Sequence, residues 1–197
     1  MKTFNEDTRV KIPATIQILR LGYKYLSLND YNPDSDTRID RTLFREALIR
    51  LNGRDFSFEE TNEVIGDIHT LLKYNDMGKA FYEWLAMPQA KTKLIDFDNI
   101  DNNTFHVVDE LTFGPQALGS FRPDVTVIVN GIPLAFLEVK KPNNPKGIQA
   151  EFRRMLNERL LVPEYRKYFN MLQIVTFSNN MEYENDSDNV APEDIKA

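Results

Sequence analysis

Residues 121–144 read FRPDVTVIVNGIPLAFLEVKKPNN, and this stretch constrains the chain more than any other. Two apolar runs, VTVIV and IPLAFLEV, flank Asn130-Gly131, the dipeptide best suited to a tight hairpin turn. A hairpin this apolar belongs in a core, yet Asp124 and Glu138 interrupt it and Lys140 follows closely. Buried carboxylates are costly unless a cation neutralises them.

Glu138 and Lys140 are two apart on one strand, so their side chains leave the same face, opposite Val139. Whether Asp124 joins them depends on register. A strict two-residue loop pairs Val129 with Ile132 and sets Asp124 opposite Leu137, facing away from Glu138. An added residue or a bulge brings the acids together, and Pro133, which cannot donate to the ladder, makes an irregular connection plausible, for example one pairing Val129 with Pro133. We therefore expect that irregularity. The acids would then hold a divalent ion, with Mg²⁺ suited to carboxylates, carbonyls and water. Lys140 would orient or help deprotonate an attacking water, or stabilise charge on a phosphate oxygen. By itself D-x13-E-x-K is short and its residues are common, so two edge carboxylates paired with Lys140, Lys141 and Arg122 fit it better than a metal site does.

Elsewhere the pattern alternates between helix and strand. Asn5 can cap a helix running to about Leu21, with Pro13 kinking or delaying it and Gly22 ending it. YKYLSL reads as a strand. Asp36 or Thr37 can cap a helix that stops at Asn52-Gly53; Ser57 and Glu60 form a capping box for the next, and a third spans about 77–86. Strands are expected at 105–113, 123–129, 133–139 and 171–177, with a helix from Pro145 to Leu161 between the last two. The fold class is α/β, a layered sheet with a helical insertion over about 36–90. Residues 1–180 form the domain, and the acidic stretch 181–197 reads as a linker.

Composition excludes several classes. Without cysteine there is no disulfide framework or thiolate nucleophile, which fits a reducing, cytoplasmic setting. No apolar run approaches the length of a membrane span. The net charge of −6 argues against a chain that depends on its own charge to hold nucleic acid. That charge is uneven: residues 141–168 carry seven Lys/Arg against three acids, a net +4, whereas 181–197 carry six acids and one Lys, a net −5. His69 and His106 are isolated and read as structural.

The chain resembles the PD-(D/E)xK nucleases, and more closely the N-terminal endonuclease region of type I restriction enzyme R (HsdR) subunits. The resemblance rests on EDTRVKIPATIQILRLGY (6–23), FREALIRLNG (44–53), IDFDNIDNNTFHVVDELTF (95–113) and FRPDVTVIVNGIPLAFLEVKKP (121–142). It implies a central mixed sheet flanked by helices, and a Mg²⁺-dependent endonuclease using one or two ions to cut foreign duplex DNA. Asp124 and Glu138 match the metal-binding acids, the Val139 carbonyl completes the protein ligands, and Lys140 matches the catalytic lysine. Glu6 matches an acid on the first helix that can reach the metal directly or through water; its other reading is a cap or a partner for Arg9.

Gln149 matches a DNA-positioning glutamine on the following helix, but Arg153 stands where that pattern carries a tyrosine; an arginine there can contact a phosphate. Arg122 matches the basic residue before Pro123-Asp124. The resemblance also implies modification (M) and specificity (S) subunits as partners. No G-x4-G-K-[ST] loop occurs, so ATP would act only through a motor region outside these residues. The rival readings are a degenerate nuclease fold that docks or binds DNA, and a stand-alone repair or junction nuclease.

Overall fold

A computed structural model describes residues 10–87, 92–114, 121–141 and 147–179. Its centre is a five-stranded mixed sheet ordered β1 (Lys24–Tyr25), β2 (Phe105–Asp109), β3 (Val125–Val129), β4 (Ile132–Val139) and β5 (Ile174–Ser178). The inner three strands are antiparallel neighbours, and β1 and β5 add in parallel at the edges. Parallel addition requires a crossover. Helices α2 (Arg41–Asn52), α3 (Phe58–Leu71) and α4 (Lys79–Ala86) lie between β1 and β2; α5 (Gly147–Arg154), a π-helical turn (Met155–Arg159) and α6 (Pro163–Met171) lie between β4 and β5.

One sheet face carries the main core. Val108, Ile128 and Phe136 point into a continuous cluster with Phe44, Leu48, Ile68, Leu72 and Phe81 of the helical block and Tyr168 and Met171 of α6. Helix α1 (Ile12–Arg20) packs on the other face, where Thr15 Oγ1 donates to Asp109 Oδ1 at 3.1 Å. Beyond α1 that face forms an apolar hollow of about 570 Å³ bordered by Phe105, Val127, Val129 and Ile174. Glu138 leaves β4 on the same side as Phe136, away from the hollow.

Several boundaries differ from expectation for local reasons. Helix α2 starts at Arg41 because Asp40, not Asp36 or Thr37, caps it: Asp40 Oδ1 accepts from the Leu43 amide at 2.8 Å. Thr37 instead donates its amide and hydroxyl to Asp34 Oδ1, closing a turn before the helix. Strand β2 ends at Asp109 because Glu110 takes φ 57°. The helix expected over 145–161 is α5 plus the π-helical turn, its start lying outside the described residues, and α6 is a further helix with Pro163 in its first turn. Met171 ends α6, so β5 begins at Ile174. The YKYLSL strand is reduced to Lys24–Tyr25. The Ser57–Glu60 capping box forms with both bonds, and regular α1 starts with Pro13 in its first turn.

Asp40 also accepts from the Asn32 amide at 2.8 Å through Oδ2 and is almost fully buried. Asp40→Ala removes the buried carboxylate that accepts from both amides, the helix cap among them, and we expect a loss of about 2 kcal/mol in urea unfolding with an unchanged slope.

Candidate active site

The hairpin resolves its register problem in an unexpected place. The loop is a regular two-residue turn: Asn130 (φ 52°) and Gly131 (φ 83°) close the pair Val129–Ile132. The irregularity lies one step along, where Val127 pairs with Ala135 but Ile128 pairs with Pro133. Leu134 is therefore an extra residue on β4, a bulge whose carbonyl accepts from the Gln173 amide at 2.7 Å. The expected Val129–Pro133 pairing does not form, but the bulge makes the same one-residue shift. Val125 then pairs with Leu137, which sets Asp124 beside Glu138.

Asp124 sits where the chain enters β3. Its Oδ2 accepts from the Val139 amide at 2.8 Å, and its carbonyl accepts from the Glu110 amide at 3.0 Å. Glu138 is only 5% exposed; Oε1 accepts from Lys140 Nζ at 3.1 Å, while Oε2 is buried with no hydrogen-bond partner among the described residues. Burial raises the Glu138 pKa, and the charge of Asp124 raises it further against the opposing pull of Lys140. Burial alone would lower the Lys140 pKa, but Glu138, Glu151 and Asp124 together raise it.

A divalent ion suits this donor set. A buried carboxylate oxygen without a partner, next to a second carboxylate, is a vacancy in hydrogen bonding that a cation satisfies. No group of three or more His, Cys, Asp or Glu converges among the described residues, so waters would have to complete the coordination of an ion held by Asp124, Glu138 and the Val139 carbonyl. Glu6 lies outside the described residues. Lys11, at the start of α1, pairs at 2.6 Å with Glu110, the residue whose amide holds the Asp124 carbonyl.

The remaining expected residues sit further out. Arg122 is exposed and pairs with Glu110 at 3.2 Å. Gln149 and Arg153 lie four apart on the exposed side of α5, not on the side turned to Lys140. That inner side carries Gly147, Glu151 and Met155, all buried at helical spacing. Glu151 Oε2 lies 3.5 Å from Lys140 Nζ, and its Oε1 lies 2.6 Å from Arg154 and 3.2 Å from Arg159. In the sequence Glu151 is one of the three acids among the basic residues of 141–168. Its signal was positional: 147, 151 and 155 recur every four residues, the spacing of a buried face.

Residues 3–185 match the family model described as type I restriction enzyme R protein N terminus (HSDR_N). Three Methanocaldococcus jannaschii proteins are similar. The "Putative type I restriction enzyme MjaIXP endonuclease subunit" is 28% identical over 203 residues, covering 90% of this chain and 19% of that protein. The MjaVIIP counterpart is 48% identical over 52 residues, 26% of this chain and 5% of its own length. The MjaVIIIP counterpart is 35% identical over 85 residues, covering 42% and 8%. The chain thus spans about a fifth of the first relative. With the match running across nearly all of its length, the chain belongs to the family of type I restriction enzyme R protein N termini.

Proposed function

We propose that this chain is the Mg²⁺-dependent endonuclease domain of a type I restriction R subunit, a type I site-specific deoxyribonuclease built on a PD-(D/E)xK core. The observation that carries the proposal is the buried, unpartnered Oε2 of Glu138 beside Asp124. A core hairpin gains nothing from such an oxygen unless a cation meets it.

In this reading Asp124 and Glu138 hold the ion and the Val139 carbonyl completes the protein ligands. A bound Mg²⁺ would supply Lewis-acid polarisation of the phosphate and a more acidic water. Lys140 holds its positive charge beside that position, where it orients the attacking water or offsets charge on a phosphate oxygen. Gln149 and Arg153, on the outer side of α5, face the solvent from which duplex DNA would approach, and Arg153 is suited to a phosphate contact. Sequence readout, ATP-driven translocation and most DNA affinity would come from other parts of a longer subunit and from M and S partners. A degenerate docking module is the weaker reading, because it leaves the Asp124–Glu138–Lys140 arrangement without a task.

The test is DNA cleavage by the full-length subunit assembled with its partners. Asp124→Ala is expected to translocate on DNA at the normal rate and to cut about 1,000-fold more slowly or not at all. An Asp124→Ala complex that cuts like the wild type would sink the assignment.

A further inference from the structure

The geometry points to Glu151 as a positioning residue whose buried carboxylate holds Lys140 in place at the Asp124–Glu138 site. The part that Lys140 plays rests on the nuclease reading above; the contact with Glu151 does not.

Lys140 Nζ sits between two carboxylates, 3.1 Å from Glu138 and 3.5 Å from Glu151. Glu138 is asked to serve two cations, because the oxygens that attract the ammonium belong to the carboxylate that would bind the metal. With a divalent ion held there, Glu138 would have less of its charge left for Lys140, whose ammonium the ion would repel. Glu151 is a second anion within reach of the ammonium, so its attraction persists when Glu138 is engaged.

The surroundings of Glu151 fit that task. It is 6% exposed, and a lone carboxylate so buried would be unstable without cations. Arg154 and Arg159 flank Oε1, which leaves Oε2 as the oxygen turned to Lys140. Arg159 is itself fixed, with its guanidinium 4.4 Å above the Phe121 ring at the start of the segment that leads to Asp124. Phe121 in turn packs against Tyr165, Tyr168 and Phe169 of α6. The anchor for Lys140 is thus tied to the same segment that delivers the metal-binding aspartate. A carboxylate that served only to fasten α5 would not need to face the site lysine.

Glu151→Gln keeps the shape and removes the charge, and two readouts test it. The first is acylation of Lys140 by an N-hydroxysuccinimide acetate reagent, followed by mass spectrometry of the intact protein's peptides at saturating Mg²⁺. Lys140 should react several-fold faster in Glu151→Gln than in the wild type; equal rates overturn the proposal. The second is single-turnover cleavage by the assembled complex. Glu151→Gln should lower the rate about 10- to 100-fold with the DNA concentration for half-maximal rate unchanged. It should add little to the loss already caused by Lys140→Ala. An equal further loss in the Lys140→Ala background, or a wild-type rate, contradicts it. Glu151→Asp retains charge for both arginines while drawing it back from Lys140, and carries the same two tests should the glutamine variant melt early. If the wild-type complex cuts no DNA, the nuclease reading fails, and the acylation rates still decide whether Glu151 holds Lys140.

Discussion

Lys140→Ala is expected to reduce DNA cleavage about 1,000-fold or more while metal binding and translocation persist. Its ammonium lies beside Glu138, yet Lys140 supplies no ligand atom, so the Asp124 and Glu138 oxygens remain available without it. The loss should therefore fall on the chemical step and not on DNA affinity. Lys140→Arg should recover little: a guanidinium is planar and longer, whereas the space between Glu138 and Glu151 fits a compact ammonium. Gel assays of supercoiled-circle cleavage, run beside a triplex-displacement assay of translocation, separate the two activities. Cleavage at the wild-type rate by Lys140→Ala would remove Lys140 from the chemistry.

The largest effect on stability is expected at the other end of the hairpin. A Cβ added to Gly131 would lie 2.6 Å from the Phe44 amide nitrogen and 2.8 Å from the Asp40 carbonyl oxygen, both backbone atoms of the first turn of α2. The Asp40 amide also donates to the Gly131 carbonyl at 2.8 Å, so turn and helix cannot simply part. Gly131 additionally has φ 83°, a region that L-residues avoid. Gly131→Ala should cost about 4 kcal/mol in urea unfolding, most of it from the clash. Gly53→Ala is the control. Gly53 has φ 63° but nothing within 4 Å of the added atom, so it should cost only about 1 kcal/mol. Equal losses at the two positions would mean that conformation alone, not the packing of the turn on α2, sets the cost.

These positions show how far the sequence could be read. Asn130-Gly131 announced the turn through its dihedral preference, and the apolar runs announced both strands. Nothing local announced that Asn130 is wholly buried: its Nδ2 donates to the Leu94 carbonyl and to Asn103, while its Oδ1 accepts from the Thr104 amide and from Arg50. Those partners are distant in sequence and meet only in the fold. The register shift was legible as a requirement, since the two acids could not otherwise share a face. Its location at Leu134 was not, because it is tied to the tertiary contact with Gln173. Helix α6 was missed because its content is largely aromatic and polar, and its helical state is fixed by Tyr165 and Tyr168 packing on Phe121. Of the candidate site, Asp124, Glu138 and Lys140 are brought together, and Gln149 and Arg153 lie on the outward side of the next helix. Glu151 escaped notice because charge on a helix is usually solvated, and only a count of the buried spacing separates it from its neighbours.

In the proposed nuclease the bulge-shifted hairpin would build a metal site from Asp124 and Glu138. Isothermal titration of Mg²⁺ into the metal-free protein tests it most directly, with Glu138→Gln, Asp124→Asn and Lys140→Ala beside the wild type. Saturable binding is expected in the wild type and in Lys140→Ala, with affinity reduced about 10-fold or more in each carboxamide variant. Absence of binding to the wild type, or wild-type affinity in Glu138→Gln and Asp124→Asn, would contradict it.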